Sequence, residues 1–374
     1  MTLRSSAMTA LEIAVRFLPH ALALIVVTRT VAGIPYPFSP VGWLFLSVPI
    51  LESLFGEERR SRHRLGRAQR VACRFAPWLW LPLQAAVLFA GMYIVRNLPD
   101  PVQAVWLAIP VGMLSGMFGM SAAHELMHRQ GWIARSAAAL LLISCGYGHF
   151  LIEHLRGHHR QLGTPSDAAT ARLGESVYAF LPRTVKGGLT NAWRLEVERL
   201  ARQGRCAFDA RNQLVALGAL SLLLCTTVAL VAGLAGLVFL IAQSVVSVAI
   251  LEVVNYIQHY GLVRRETQLV PEPLTAAHAW DCRFRLTNLL LVDLGRHSDH
   301  HLWPIRRADE LGFRPDAPRM PAGYFTMCIL ALLPPLWTLL IDPRAMLVRE
   351  RLNRGLAALP AQSNQEGQFD ETKD

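Results

Sequence analysis

The longest uncharged run in the chain decides its environment. From Leu214 to Tyr256 no Asp, Glu, Lys or Arg occurs before Glu252. Roughly 20 apolar residues cross the hydrocarbon core of a bilayer, so this run is about twice too long for one crossing. Ala232-Gly233-Leu234-Ala235-Gly236 supplies a hairpin turn between two spans, about 214–231 and 237–256. Four earlier apolar stretches, about 16–33, 37–55, 75–95 and 102–123, bring the expected count to six. The first is not a signal peptide, because Glu12, Arg16 and His20 interrupt it and no clean cleavage site follows. A later apolar piece, 324–341, contains Pro334-Pro335, which removes helix hydrogen bonds, and is expected to be interfacial or half-inserted. The fold class is therefore all-α: a polytopic membrane protein with about six transmembrane helices, forming one membrane-embedded domain over residues 1–374.

Composition excludes other classes. Hydrophobic residues make up 52% and charged residues 17%, too apolar for an ordinary soluble enzyme and far from a disordered chain. The net charge of +10 does not indicate nucleic acid. Nearly all cations are arginine, with only Lys186 and Lys373 as lysines, and seven arginines crowd into residues 57–74. Clustered cations between apolar spans mark a cytoplasmic loop. With the N-terminus inside, spans one to four return the chain to the cytoplasm just before His124, and spans five and six return it just before His259. The polar tail, 342–374, stays on the same side. The expected location is a bacterial-type inner membrane. Six cysteines with no CxxC pair rule out a disulfide scaffold, a zinc ribbon and a thioredoxin motif.

Nine of the 13 histidines fall into four groups: His124 and His128; His154, His158 and His159; His259; and His297, His300 and His301. All lie at or beyond the cytoplasmic span ends, on a topology drawn without them. Residues at i and i+4 share a helix face, so His124 and His128 can bind one metal region. His154 and His158 are expected to pair in the same way, with His159 pointing to a second metal. Nine imidazoles exceed one tetrahedral zinc and fit two metals. Imidazole suits iron, copper, zinc and nickel alike. A di-metal site requires His128 and His154 to meet, so the apolar stretch 135–152 is expected to be re-entrant or interfacial, with breaks near Gly146 and Gly148. His20, His63, His149 and His278 are left out of the ligand set. Gly112, Gly116, Met120 and His124 run down one face of span four, as a helix-packing face or as the wall of a substrate channel.

The blocks His124–His128, Glu153–Arg160, Asn255–Gly261 and Arg296–His301 resemble the membrane di-iron alkane hydroxylases, the AlkB-like alkane 1-monooxygenases of the wider membrane desaturase and hydroxylase superfamily. The resemblance covers roughly residues 123–337, including Trp193-Arg194-Leu195-Glu196, and Asn-Tyr-Ile-Gln-His-Tyr-Gly at 255–261 is its most discriminating element. It implies two iron ions held by the nine motif histidines. It also implies O2 as co-substrate and electrons from a separate rubredoxin or ferredoxin with its reductase. The absent CxxC pairs agree, since no electron-transfer module is fused here. The substrate is expected to be an apolar molecule entering from membrane lipid, an alkane or alkyl-aromatic, hydroxylated at a terminal or methyl C–H. The family's alkane members usually carry Glu where this chain has Gln258, which looks more like the xylene monooxygenase branch. Gln258 is expected beside the iron as a pocket wall or outer partner, not a ligand.

All-imidazole ligation leaves a strongly cationic metal pair. Carboxylates orienting the ligands through their free ring N–H groups would offset it. Glu125, Glu153 and Asp299 are the expected candidates, with Asp281 and Asp293 behind them. Glu252, an acid within span six, is a functional candidate in its own right. Arg156, Arg160, Arg296, Arg306 and Arg307 either face an acidic electron carrier or contact lipid phosphate. Other readings are a fatty-acyl desaturase or lipid hydroxylase, a metal transporter and a zinc protease. A transporter places its ligands near the bilayer midplane, and a protease built on His124-Glu125-x-x-His128 leaves seven histidines unexplained.

Overall fold

The computed structural model of the chain describes residues 3–58, 65–98, 100, 102–265 and 271–354, without the side chains of 3–6. Part of the basic loop, including His63, and the end of the polar tail lie outside the described residues. Within them the structure is helical, with two isolated backbone bridges, Glu57 to Phe284 and Asp281 to Arg319.

The first three helices are α1 (Leu3–Val31), α2 (Ser39–Phe55) and α3 (Arg67–Val95). α3 begins eight residues before the apolar stretch that predicts it. Arg67, Arg70 and Arg74 therefore sit on its first turns and not in the loop, and Arg74 pairs with Asp309 at 2.9 Å. α4 (Gln103–Leu114), a π-helical turn (Ser115–Gly119) and α5 (Met120–Met127) follow one another without a gap.

α6 (Trp132–Ser144) has 13 residues, about 20 Å at 1.5 Å per residue and short of the hydrocarbon thickness. The chain then turns at Gly146, whose φ of 68° suits a residue without Cβ. It comes back through α7 (Phe150–Ile152), a second π-helical segment (Glu153–His158) and α8 (His159–Gln161). The segment doubles back, as the meeting of His128 and His154 requires.

α9 (Val177–Arg202) is capped by the Ser176 hydroxyl, which accepts the Ala179 N–H. α10 (Gln213–His259) is 47 residues long but not straight. Gly233 has φ 64° and ψ −160°, outside the helical region. A Cβ placed on Gly236 would lie 3.3 Å from Val228 Cγ1. Eight residues along a straight helix span about 12 Å, so the chain reverses here and α10 is a hairpin of two helices. α11 (Arg285–Leu290), α12 (His297–Leu302), α13 (Tyr324–Ala331) and α14 (Pro334–Asn353) complete the fold. α13 and α14 meet at 118°, where Pro334-Pro335 breaks the ladder.

Four helical stretches are long and apolar enough to cross a membrane, and a fifth results if the bent α13–α14 pair is one span. α2, with 17 residues, falls just short. The outer surface suits lipid: Phe89, Trp106, Leu222 and Leu230 are each more than two-thirds exposed. The structure is an all-helical membrane protein. Its centre is the crossing of α4 on the second half of α10. A Cβ on Gly112 would lie 2.7 Å from the Gln243 carbonyl oxygen, and one on Gly116 would lie 2.8 Å from that of Ser247. Gly112 and Gly116 are therefore a packing face, with small residues letting two backbones approach closely.

Candidate metal centre

Four elements deliver the nine motif histidines to one end of this crossing. α5 brings His124 and His128, the π segment with α8 brings His154, His158 and His159, the end of α10 brings His259, and α12 brings His297, His300 and His301. The ring nitrogens of His124, His128, His154 and His300 all lie within 4.8 Å of one another, as do those of His158, His259 and His301. His159 joins the first set, with its Nε2 3.1 Å from His154 Nε2 and 3.2 Å from His300 Nε2. His297 joins the second, 3.0 Å from His259 Nε2 and 2.9 Å from His301 Nε2. The two nests are adjacent, with the His159 and His301 ring centroids 4.5 Å apart.

The allotment of the middle group differs from the helical expectation. His154 pairs with His159, not His158, and His158 turns to the other nest. The cause is the π-helical segment at Glu153–His158. An i→i+5 hydrogen-bond repeat brings residues five apart onto one face, where an α-helix would bring residues four apart.

The donor set fits metal ions. Ligands about 2.0–2.1 Å from one ion, set 90–109° apart, lie about 2.9–3.4 Å from each other, and the measured Nε2 separations fall in that interval. The Nε2 atoms of His124 and His158 are buried with no hydrogen-bond partner among the described residues. Burial, reinforced by neighbouring imidazoles, holds His128, His154, His159, His297, His300 and His301 well below the ordinary imidazole range. Such rings are neutral and offer a lone pair, as metal ligation requires.

His158 is the exception. Its Nδ1 lies 3.0 Å from an Asp167 carboxylate oxygen. Burial alone lowers a histidine, but the Asp167 charge and hydrogen bond outweigh it, and His158 stands above its ordinary value. Asp167 is in turn fixed by the Thr170 hydroxyl at 2.6 Å and the Ala169 N–H at 3.1 Å. Sequence reasoning missed this residue. Its one signal is the turn composition of Gly163-Thr164-Pro165-Ser166-Asp167, shortly after the histidine group.

The carboxylates expected to orient the imidazoles make other hydrogen bonds. Glu125 accepts from Arg129 at 3.0 Å and from the Ala308 N–H at 3.3 Å. Asp299 accepts from the Gly312 N–H at 2.8 Å and Arg314 Nε at 2.7 Å. Glu153 is 3% exposed and accepts from Asn191 at 3.4 Å, and burial raises its carboxyl to about 8. Asp281 accepts the Ser298 N–H at 2.9 Å and so holds the start of α12, and Asp293 binds Arg16 at 2.9 Å. Arg296, placed in sequence among residues facing a carrier or lipid, is fully buried against Glu58. His20 contacts the Ala76 carbonyl, and His278 lies beside Thr275 and Glu272, both outside the nests.

An apolar cavity opens onto the nests between α5 and α10. Met117, Met120, Leu251, Val254 and Leu294 line it, and His124, His154 and His297 close its deep end. Gln258 forms part of the wall. It is 2% exposed, and its side-chain NH2 donates to the Tyr324 hydroxyl at 2.6 Å. Gln258 therefore faces the cavity and not solvent.

Residues 103–326 match the fatty acid desaturase family. Alkane 1-monooxygenase 2 of Pseudomonas aeruginosa is 36% identical over 83% of this chain and 84% of its own length. Alkane 1-monooxygenase 1 of the same organism is 37% identical over 83% of each chain. The xylene/toluene monooxygenase hydroxylase component of Pseudomonas putida is 33% identical over 73% of this chain and 75% of its own length. Two nests of neutral imidazoles beside an apolar cavity, and relatives of this similarity over most of the chain, lead to one assignment: the chain belongs to the membrane fatty acid desaturase family, in the branch that contains the alkane 1-monooxygenases.

Proposed function

We propose that the protein is an integral-membrane, non-haem di-iron monooxygenase that hydroxylates a terminal or methyl C–H of an alkane or alkyl-aromatic. The observation that carries this reading is the apolar cavity closed by His124, His154 and His297. His124, His128, His154, His159 and His300 would hold one iron, and His158, His259, His297 and His301 the other. Bound iron supplies the oxygen-activating redox chemistry that side chains cannot. The chain does the rest. Met117, Met120, Leu251, Val254 and Leu294 bind the hydrocarbon and exclude water, and the histidine face orients its reacting end. Asp167 fixes His158 from outside. Glu125, Glu153 and Asp299 offset the cluster's positive charge at longer range.

The electrons come from a separate rubredoxin or ferredoxin with its reductase. Six crossings, by α1, α2, α3, α4–α5 and the two halves of α10, bring all four histidine groups to one side. The arginine-rich loop marks that side as cytoplasmic, with both termini there and the chain in an inner membrane as a single domain. A fatty-acyl desaturase or lipid hydroxylase is less supported, because the curated relatives are hydrocarbon monooxygenases by name.

The test is product analysis from whole cells expressing the chain with a compatible electron-transfer pair, fed octane, p-xylene and p-cymene. Octan-1-ol or a benzylic alcohol is the expected product. Iron-loaded protein that gives none of these, or that introduces double bonds into membrane acyl chains, refutes the reading.

A further inference from the structure

A second cavity lies on the far side of Asn255 and Phe150 from the apolar one, and those two residues line both. Its other walls are polar: Tyr147, His149, Glu153, Thr184 and Glu252. His149 and Ala168, at its mouth, are only half-buried, whereas Glu252 at its floor is 2% exposed. A cavity of this polarity takes up water, whereas apolar ones stay dry.

Glu252 differs from the other buried acids of the protein. Glu196 is paired with Arg199, Asp293 with Arg16 and Asp299 with Arg314. The hydrogen-bond partners of Glu252 are all neutral: the Tyr147 hydroxyl at 2.7 Å, the Thr184 hydroxyl at 2.9 Å and the Asn255 amide at 3.2 Å. A guanidinium only donates and locks an acid as carboxylate, whereas a hydroxyl donates or accepts. This network therefore accommodates Glu252 with or without its proton.

We propose that Glu252 is the proton-delivery residue of the reaction, fed from the His149 side of the polar cavity and releasing its proton across the Asn255 partition. The proposal rests on the monooxygenase reading. In that reaction one oxygen atom of O2 enters the C–H bond and the other leaves as water. The carrier supplies two electrons, and solvent must supply two protons. The substrate cavity is apolar and offers no route for them. Glu252 gives its proton to the departing oxygen and regains one from water in the polar cavity, twice per turnover.

Two variants separate this from a bracing role. Glu252→Gln keeps the shape and hydrogen-bond capacity but carries no exchangeable acid proton. Gly188→Leu fills the cavity mouth and leaves Glu252 intact. A Cβ there would meet Glu153 Cγ at 3.6 Å and His149 Nε2 at 3.9 Å, both ordinary contacts, so Gly188→Ala serves as the folding control.

The full chain in membranes, with a reduced carrier and octane or p-xylene, is assayed for bound iron, oxygen consumption and solvent deuterium isotope effect. With Glu252→Gln, iron stays at the wild-type level and oxygen consumption falls by about 100-fold, the scale of a lost acid–base group. Gly188→Leu slows oxygen consumption in the same direction and enlarges the isotope effect, and Gly188→Ala does neither. Wild-type oxygen consumption in Glu252→Gln, iron loss in proportion to activity, or a fully active Gly188→Leu each overturns the proposal. Wild-type protein that consumes oxygen without hydroxylating either hydrocarbon refutes the substrate reading instead, and the variant comparison still stands.

Discussion

Asp167 is where the structure adds most to the sequence, and its removal makes a graded prediction. Its carboxylate lies 3.0 Å from His158 Nδ1 and is held from behind by Thr170 and Ala169. The ring of His158 is thereby fixed with Nε2 aimed into the nest of His259 and His301. Asp167→Ala removes the hydrogen bond and leaves buried Nδ1 unpaired in a ring that is 1% exposed. Loss of such an outer partner typically costs 10- to 100-fold in metal affinity, about 1.4–2.7 kcal/mol. The loss should fall on one nest, because the other takes no ligand from His158. Titration of apo-protein with ferrous iron should therefore show one site at the wild-type affinity and one weakened by about 10- to 100-fold. Asp167→Asn retains an acceptor and should fall between. Glu272→Gln, at the unrelated His278, is the control and should change neither site. Two sites of wild-type affinity in Asp167→Ala would falsify the orienting role. Equal weakening of both would show that the nests are not separable as drawn.

Three further outcomes follow from the packing and the site. Gly116→Phe forces a ring into the Ser247 backbone, so folded yield and melting temperature should fall, by about 1–3 kcal/mol or more; a stable variant with a shorter accepted substrate would make this face a channel wall. Gln258→Glu turns a donor to Tyr324 into a buried carboxyl group. Iron content should hold while the octanol-to-benzylic-alcohol ratio shifts, and an unchanged ratio in iron-loaded protein removes Gln258 from the substrate determinants. His259→Ala should lose iron and activity together, whereas His63→Ala should keep both, and full iron after loss of His259 strikes it from the ligand set.

The fold was legible where apolar length and turn residues act locally. The uncharged run before Glu252 and the Gly233 hairpin follow from desolvation and backbone freedom, and both appear in α10. The doubling-back of 135–152 was legible for a different reason: a shared metal site demanded it, and a 13-residue helix followed by a Gly146 turn provides it. The start of α3 was not legible. Hydropathy marks where lipid contact begins, whereas a helix runs on through Arg67–Arg74 for as long as its own hydrogen bonds and capping allow.

The site divides along a similar line. Residue type announced the nine imidazoles, but their allotment depends on helical pitch, which the sequence does not display. A regular α-helix through Glu153–His158 would have paired His154 with His158 and left His159 for the other metal. The π-helical segment reverses the pairing. Orienting groups are harder still to read, because the useful carboxylate is chosen by proximity in space. Glu125, Glu153 and Asp299 adjoin histidines in sequence, yet adjacent helical residues point about 100° apart, so their carboxylates reach arginine, amide and backbone donors. Asp167 stands nine residues from His158, but the turn after α8 folds it back onto the ring. Proximity along the chain therefore argues against an acid on a helix orienting its histidine neighbour, and outer partners of such clusters are better sought in the loops that follow the ligand helices.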